Sequence, residues 1–566
     1  MKRCRCRAYR RGKSFRPVLS VVVLPVFLFF AAAAGVYSQD DPIHAYLSGG
    51  KDSAVADRYA LWAKSAIDQG LWSEALAGLE RASDFADVSS DISYLLALAR
   101  SHENKGRRPV LETLERSLTV DRWKIYKSES ARLMKAENLI ALRAYPQALA
   151  ELSRAGRSPE EAVLTLKALV FFKPDEFLRY MTETLDRYPR EIGPVQVFLN
   201  YLKNKDAAGG NPGYNRNQTV PLSQAGKDDI DLLNLIIRRL PVLLLKDPEL
   251  AWMAAPFIQD RDEARRLVSA YRAVNKPARA SLPITLALGL IDDENALEDL
   301  FSTGGEAVLD IALLDEIWGL LRREETRAVF RRNLLAFSGV IKEDTDRDGI
   351  PETSVKYDRG VPELCSYDAD QDGEPDITLC FEAGDPVRAQ VYIPPDSNRA
   401  AELQAGSGMA AVQWERYPAV LEVELDGVRY IPRPLEFNFS PFQFIELWGS
   451  GLLFPRRDPF SPSLTRRVLV SSVLHIERPS LEFPGGREVV ELSQGIPVMA
   501  REYVGDLMVS ETEFLRGRPQ FQRLDLNLNG RFDMYRHFRR NYRAMELEDL
   551  WNYDRDFDYT LKTEEE

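Results

Sequence analysis

Apolar residues recur at intervals of three and four from about residue 55 to Phe337. Beyond about residue 340 that rhythm gives way to short runs of β-branched and aromatic residues, separated by Gly, Pro and Asp. A helix needs the first period and a half-buried strand the second, so one regular element cannot serve both. The expected fold is therefore multi-domain: all-α in the N-terminal half and mainly β in the C-terminal region. At 566 residues the chain exceeds one ordinary core, and about three or four domains are expected. A hydrophobic fraction of 45% is normal for a globular protein.

The first 38 residues differ from the rest. Residues 1–17 hold eight basic residues and no acid, and 18–36 are apolar apart from Ser20. Ser38 then offers a small residue before Gln39. This order reads as a secretory signal cut near 38/39, and the alternative is a retained anchor. No other run is long and apolar enough to span a membrane as a helix. Export to the periplasm or the cell exterior is the expectation. The net charge of −12 becomes more negative once the basic segment is removed. Such a chain is a poor general binder of nucleic acid or anionic membrane, and it suits cations.

Within 39–205 the clearest helical unit is ALWAKSAIDQGLWSEALAGLERAS at 60–83. Ala66 and Ala75 let two antiparallel helices approach, Gly70 opens the turn and Trp72 fills the space between them. NLIALRAYPQALAELSRAG (138–156) repeats the pattern with Tyr145, Ala148, Leu152 and Ala155. Gly106 and Pro189 mark two more degenerate units. These residues resemble the tetratricopeptide repeat (TPR), in its G-x-[YW]-x-x-A-L half, and the alternative is a non-repetitive helical bundle. The resemblance implies stacked helical pairs with a concave surface that takes a protein or peptide partner. Residues 206–227 read as a linker, and 228–339 as a second helical block with a break at Pro241.

The region 340–566 carries three related strings. DTDRDGIPE begins at Asp344, DADQDGEPD at Asp368 and DLNLNGRFD at Asp525. Calcium takes six to eight oxygens from carboxylates, amides and carbonyls. Residues one, three, five and nine of each string supply side-chain oxygens, the sixth is a turn glycine, and the seventh offers a carbonyl. The candidate ligands are Asp344, Asp346, Asp348, Ile350 and Glu352 in the first loop. In the second they are Asp368, Asp370, Asp372, Glu374 and Asp376. The third has Asp525, Asn527, Asn529 and Asp533, with Arg531 at the carbonyl position. Val355, Leu379 and Arg536 stand where an EF-hand would place its last Glu. The loops instead resemble the calcium hairpins of integrin α-subunit propellers and of bacterial secreted proteins, which implies flanking strands and structural calcium. A fourth string, NYDRDFDYT (552–560), lacks the glycine.

Cys365 and Cys380 flank the second string, and a disulfide between them is the expectation, with two thiols as the alternative. The four His are scattered, and no zinc-protease, nucleophile-elbow, P-loop or dinucleotide motif occurs, so no catalytic residue is nominated. FNFSPFQFIELWGSGLLF (437–454) is either core or a ligand groove. Taken together, these features describe an exported cell-envelope scaffold with structural calcium. The alternative is a carbohydrate-active or adhesion protein that acts through the β domain.

Overall fold

The computed structural model describes residues 53–83, 87, 89–103, 106–208, 226–275, 278–302, 307–393, 408–433, 437–461, 463–480, 482–538 and 559–563. The segment read as a secretory signal, most of the stretch read as a linker and all but the last two residues of the fourth string lie outside the described residues. The chain divides into two compact units, residues 1–99 with 116–126 and residues 100–115 with 127–566.

In the first unit, helices Ser53–Asp68 and Trp72–Arg81 form a hairpin. Its core is built on small residues, with Ala56, Ala60, Ala63 and Ala82 beside Leu76, Leu79 and Leu95. Ala66 and Ala75 are also buried, as close helix approach requires. In the second unit Ser128–Ala141 pairs with Tyr145–Ala155, and Pro159–Phe172 with Pro174–Arg187. Gly193–Ala208 follows, then Lys227–Leu243. Pro241 does not break that last helix, which runs on to Leu243, so the break expected there is not found. The N-terminal half is thus helical, and the C-terminal half is a large, mostly antiparallel sheet.

Among the described residues sixteen strands form that sheet. In order they are β1 (Ala307–Asp310), β2 (Gly339–Glu343), β3 (Thr353–Asp358), β4 (Val361–Tyr367), β5 (Ile377–Glu382), β6 (Asp385–Tyr392), β7 (Met409–Arg416), β8 (Ala419–Leu425) and β9 (Val428–Pro432). A separate pair, β10 (Phe442–Glu446) and β11 (Leu453–Arg457), interrupts the succession. The large sheet resumes with β12 (Val473–Pro479), β13 (Arg487–Ser493), β14 (Ile496–Val504), β15 (Leu507–Leu515), β16 (Arg518–Leu524), β17 (Met534–Phe538) and β18 (Tyr559–Thr563). Among the described strands only β1 pairs parallel, with β2. It occupies a stretch read from sequence as helix, because the Asp310 carboxylate caps the following helix at Ala312 and Leu313 and so starts it later.

A motif that sequence inspection missed sets the hairpins. Tyr357, Phe381, Leu492 and Phe514 each begin a string of apolar-x-x-Gly-x-Pro. Its third and fourth residues both take positive φ, as a two-residue type I′ turn requires: 50° and 75° at Arg359 and Gly360, 53° and 92° at Ala383 and Gly384. In each, the apolar residue faces the proline across the ladder, directly after a register shift. The bulge accommodates a proline that has no N–H to donate.

The sheet core also takes in the end of the helical half. Leu282, Leu297, Leu314 and Phe330 share one buried cluster with Ile341, Val355, Leu379 and Tyr430. Leu232, Ile236 and Val268 belong instead with Phe177 and Phe198 of the repeats. Phe437, Phe439, Phe442 and Phe454 are buried, so the aromatic stretch is core rather than an exposed platform. The expected disulfide is not formed. Cys365 pairs across the ladder with Leu379, and Cys380 with Leu364, so neighbouring register positions put the two sulfurs on opposite faces of the sheet.

Candidate functional site

The three strings fold alike. Loop 1 joins β2 to β3, loop 2 joins β4 to β5, and loop 3 joins β16 to β17. The fourth residue of each has positive φ: 64° at Arg347, 56° at Gln371 and 58° at Leu528. The glycines follow at 94°, 86° and 86° for Gly349, Gly373 and Gly530. The first aspartate accepts from the glycine N–H at 2.8 Å in loops 1 and 2 and at 2.6 Å in loop 3. The ninth residue accepts from the second: Glu352 from Thr345 at 2.8 Å, Asp376 from Ala369 at 2.7 Å and Asp533 from Leu526 at 3.0 Å. The fifth accepts from the seventh, so Asp348, Asp372 and Asn529 hold the N–H groups of Ile350, Glu374 and Arg531. The backbone of Ile350 and Glu374 therefore lies in the tight turn foreseen for a carbonyl ligand.

The loops differ in what lies against them. Arg143, in the turn between helices Ser128–Ala141 and Tyr145–Ala155, reaches loop 1. Its guanidinium pairs with Asp346, stands 3.7 Å from Asp348 and lies 2.9 Å from Glu352. Arg108 reaches loop 2, at 2.6 Å from Asp370 and 3.0 Å from Asp372. Arg107 adds a backbone bond to Asp372 O at 2.5 Å and a side-chain bond to Gln371 O at 2.8 Å. Loop 3, with Asn527 and Asn529 in place of the paired aspartates, has no arginine from a helical turn among its described contacts. Asparagine keeps the turn hydrogen bonds and omits the charge.

Two groups of carboxylates bring oxygens within 4.8 Å of one another: Asp344, Asp346 and Asp348, and Asp368, Asp370 and Asp376. Burial pushes Asp344 and Asp368 each up to about 6, and the neighbouring aspartates add to the push against the opposing turn N–H groups. Gln371 supplies a further sign. It is 1% exposed, its amide nitrogen donates to Ile350 O at 3.1 Å, and its Oε1 has no hydrogen-bond partner. An orphaned buried amide oxygen beside the loop 1 carbonyl and carboxylates fits a hard cation. In loop 1 the residues that would hold calcium are Asp344, Asp346 and Asp348, with Ile350 O at the edge. Asp368, Asp370 and Asp376 form the set in loop 2, where Asp372 and Glu374 face the helix turn instead.

Loop 1 also borders a cleft of about 1590 Å³. One wall is formed by helices Ser128–Ala141, Pro159–Phe172 and Gly193–Ala208, presenting Asn138, Lys167, Phe171, Asn200 and Tyr201. The other carries loop 1, Asp315, Glu316 and Arg456. Phe171 is 42% exposed and stacks on Tyr145 at 5.8 Å between ring centres. Asn204 donates to Arg347 O at 3.1 Å, so loop 1 touches the helical wall at a second point. Helix Ile311–Leu320 enters through Glu316, which pairs with Lys203 at 2.8 Å. Sequence reasoning named Tyr145 as a repeat residue but missed Arg108, Arg143, Gln371 and the cleft. The position of Arg143 where Gly70 and Gly106 stand was the available signal.

No family model matches the chain. It is 24% identical to an uncharacterized protein of Treponema pallidum (strain Nichols), over 89% of this chain and 75% of that one. Among solved structures, YrrB, a TPR protein with an unusual peptide-binding site, aligns over 37% of this chain and 97% of its own, at 15% identity and a TM-score of 0.26. PilF of Pseudomonas aeruginosa aligns over 44% and 89%, at 16% identity and a TM-score of 0.24.

Proposed function

We propose that this protein is a non-catalytic scaffold of the cell envelope that holds a segment of a partner protein in the cleft and keeps calcium in loops 1 and 2. The cleft carries the reading. Its helical wall presents a stacked aromatic pair, Tyr145 and Phe171, together with the exposed amide of Asn200. Aromatic rings and a side-chain amide on one wall suit an extended peptide, whose backbone needs hydrogen-bond partners and whose side chains need apolar contact. The basic, apolar and small-residue order of 1–38 supports export, where calcium is available. The oxygen sets of the loops, with the orphaned Gln371 Oε1, support the metal. When bound, calcium would neutralise clustered carboxylates and pin the hairpins.

The test is a photo-crosslinking amino acid placed at Phe171, with Val274, 85% exposed on another helix, as the control position. Adducts mapped by mass spectrometry should form at 171 and be lost when Tyr201 becomes Ala. Equal adducts at both positions, or none at 171, would overturn the cleft as the binding site.

A further inference from the structure

Two carboxylates of loop 1 belong both to an ion pair and to a candidate metal site. Asp346 and Asp348 belong to the oxygen group that suits a metal, and both also lie against the Arg143 guanidinium. Loop 2 shares less, because of its metal-type group only Asp370 meets Arg108. We propose that Arg143 is a built-in competitor for the cation of loop 1, so that calcium binding there loosens the helix turn that forms one edge of the cleft. This rests on the calcium reading above.

The backbone of this turn does not itself call for arginine at 143. The turn closes by Arg143 N to Ile140 O at 2.9 Å and Ala144 N to Leu139 O at 2.8 Å. The first repeat closes identically, with Gly70 N to Ile67 O and Leu71 N to Ala66 O, both at 2.9 Å. That closure is a left-handed helix end, and glycine occupies it without strain. Arg143 adopts φ of 57° there, which an L side chain rarely does. Nothing in the turn itself requires arginine, and the reach into loop 1 does. A guanidinium and a divalent ion on the same two carboxylates repel each other, and by linkage each weakens the other by the same factor. Because Arg143 and loop 1 both line the cleft, the exchange alters the site proposed for the partner.

Hydrogen exchange during a calcium titration of the whole chain reads loops 1 and 2 separately. In Arg143→Gly, which restores the residue of the first two repeats, the midpoint at 344–352 should fall by about tenfold or more while that at 368–376 stays put. Calcium should speed exchange at 139–145 in the natural chain and leave it unchanged in the variant. Arg143→Asn, neutral and tolerant of positive φ, should behave as the glycine variant does. Unchanged or weaker calcium binding at loop 1 in both variants, with loop 2 responding, would overturn the competition and leave the calcium reading standing. No response at either loop in any chain would overturn both.

Discussion

The Arg143 guanidinium lies 2.9 Å from the Glu352 carboxylate, across 209 residues of chain. This contact joins a helix turn to a β-hairpin loop. Arg108 with Asp370 does the same one helical pair earlier and one loop later. Successive turns of the helices therefore meet successive acidic loops of the sheet, in reverse order.

Loop 3 should be the weakest cation site. It has the same turn geometry, but Asn527 and Asn529 leave it two carboxylates, Asp525 and Asp533. Exchange at 525–533 should respond to calcium only at concentrations well above those that protect 368–376. Protection of all three loops at one midpoint would contradict this.

The metal-free protein should lose stability as pH rises. Burial holds Asp344 and Asp368 near about 6, against an ordinary 3.8, so each takes up a proton on folding. Their contribution is fully present below the ordinary value and is lost as pH climbs through about 6. Calcium needs the ionised form, so in calcium the trend over the same window should flatten or reverse. Melting curves in chelator and in calcium, between about pH 4 and about pH 7, decide the sign.

Gly360 should tolerate no side chain. A Cβ there would fall 1.9 Å from Leu335 O, at a φ of 75°. Its N–H also bonds Phe337 O at 2.7 Å, tying the turn to the end of the helix Glu324–Leu335. Gly360→Ala should cost roughly 3 kcal/mol or more in urea unfolding, whereas Gly427→Ala, with open space around its Cβ, should cost only about 1 kcal/mol of backbone strain.

Cys365 and Cys380 should both remain thiols. Alkylation of the denatured chain without reductant should label Cys365 and Cys380, and reductant should leave the melting temperature unchanged. In the folded protein Cys365, fully buried with its thiol pushed up by that burial, should resist labelling.

Local pattern foretold the local elements. The change from helical to alternating period near residue 340 is visible in side-chain chemistry alone, because burial on one face imposes it. The loops were readable too, since each is closed by its own residues, from Asp344 to Gly349 and from Glu352 to Thr345. What could not be read required partners distant in sequence. Cys365 and Cys380 looked like a bridge by spacing, but register parity separates them, and parity depends on how the turns are built. The apolar-x-x-Gly-x-Pro strings that build those turns have only two fixed residues each, too sparse to stand out in a chain with 33 Gly and 33 Pro. Arg143 gave no signal of its own because its partners lie about two hundred residues further along the chain.

The most direct measurement is calorimetric titration of calcium into the chelator-stripped chain, with a thermal melt beside it. Two sites should bind, and at free calcium about 100-fold above the dissociation constant each should add about 2.7 kcal/mol to the stability of the structure it holds. No heat of binding and no shift in the melt would contradict the account and leave loops 1 and 2 as arginine-paired turns with no metal.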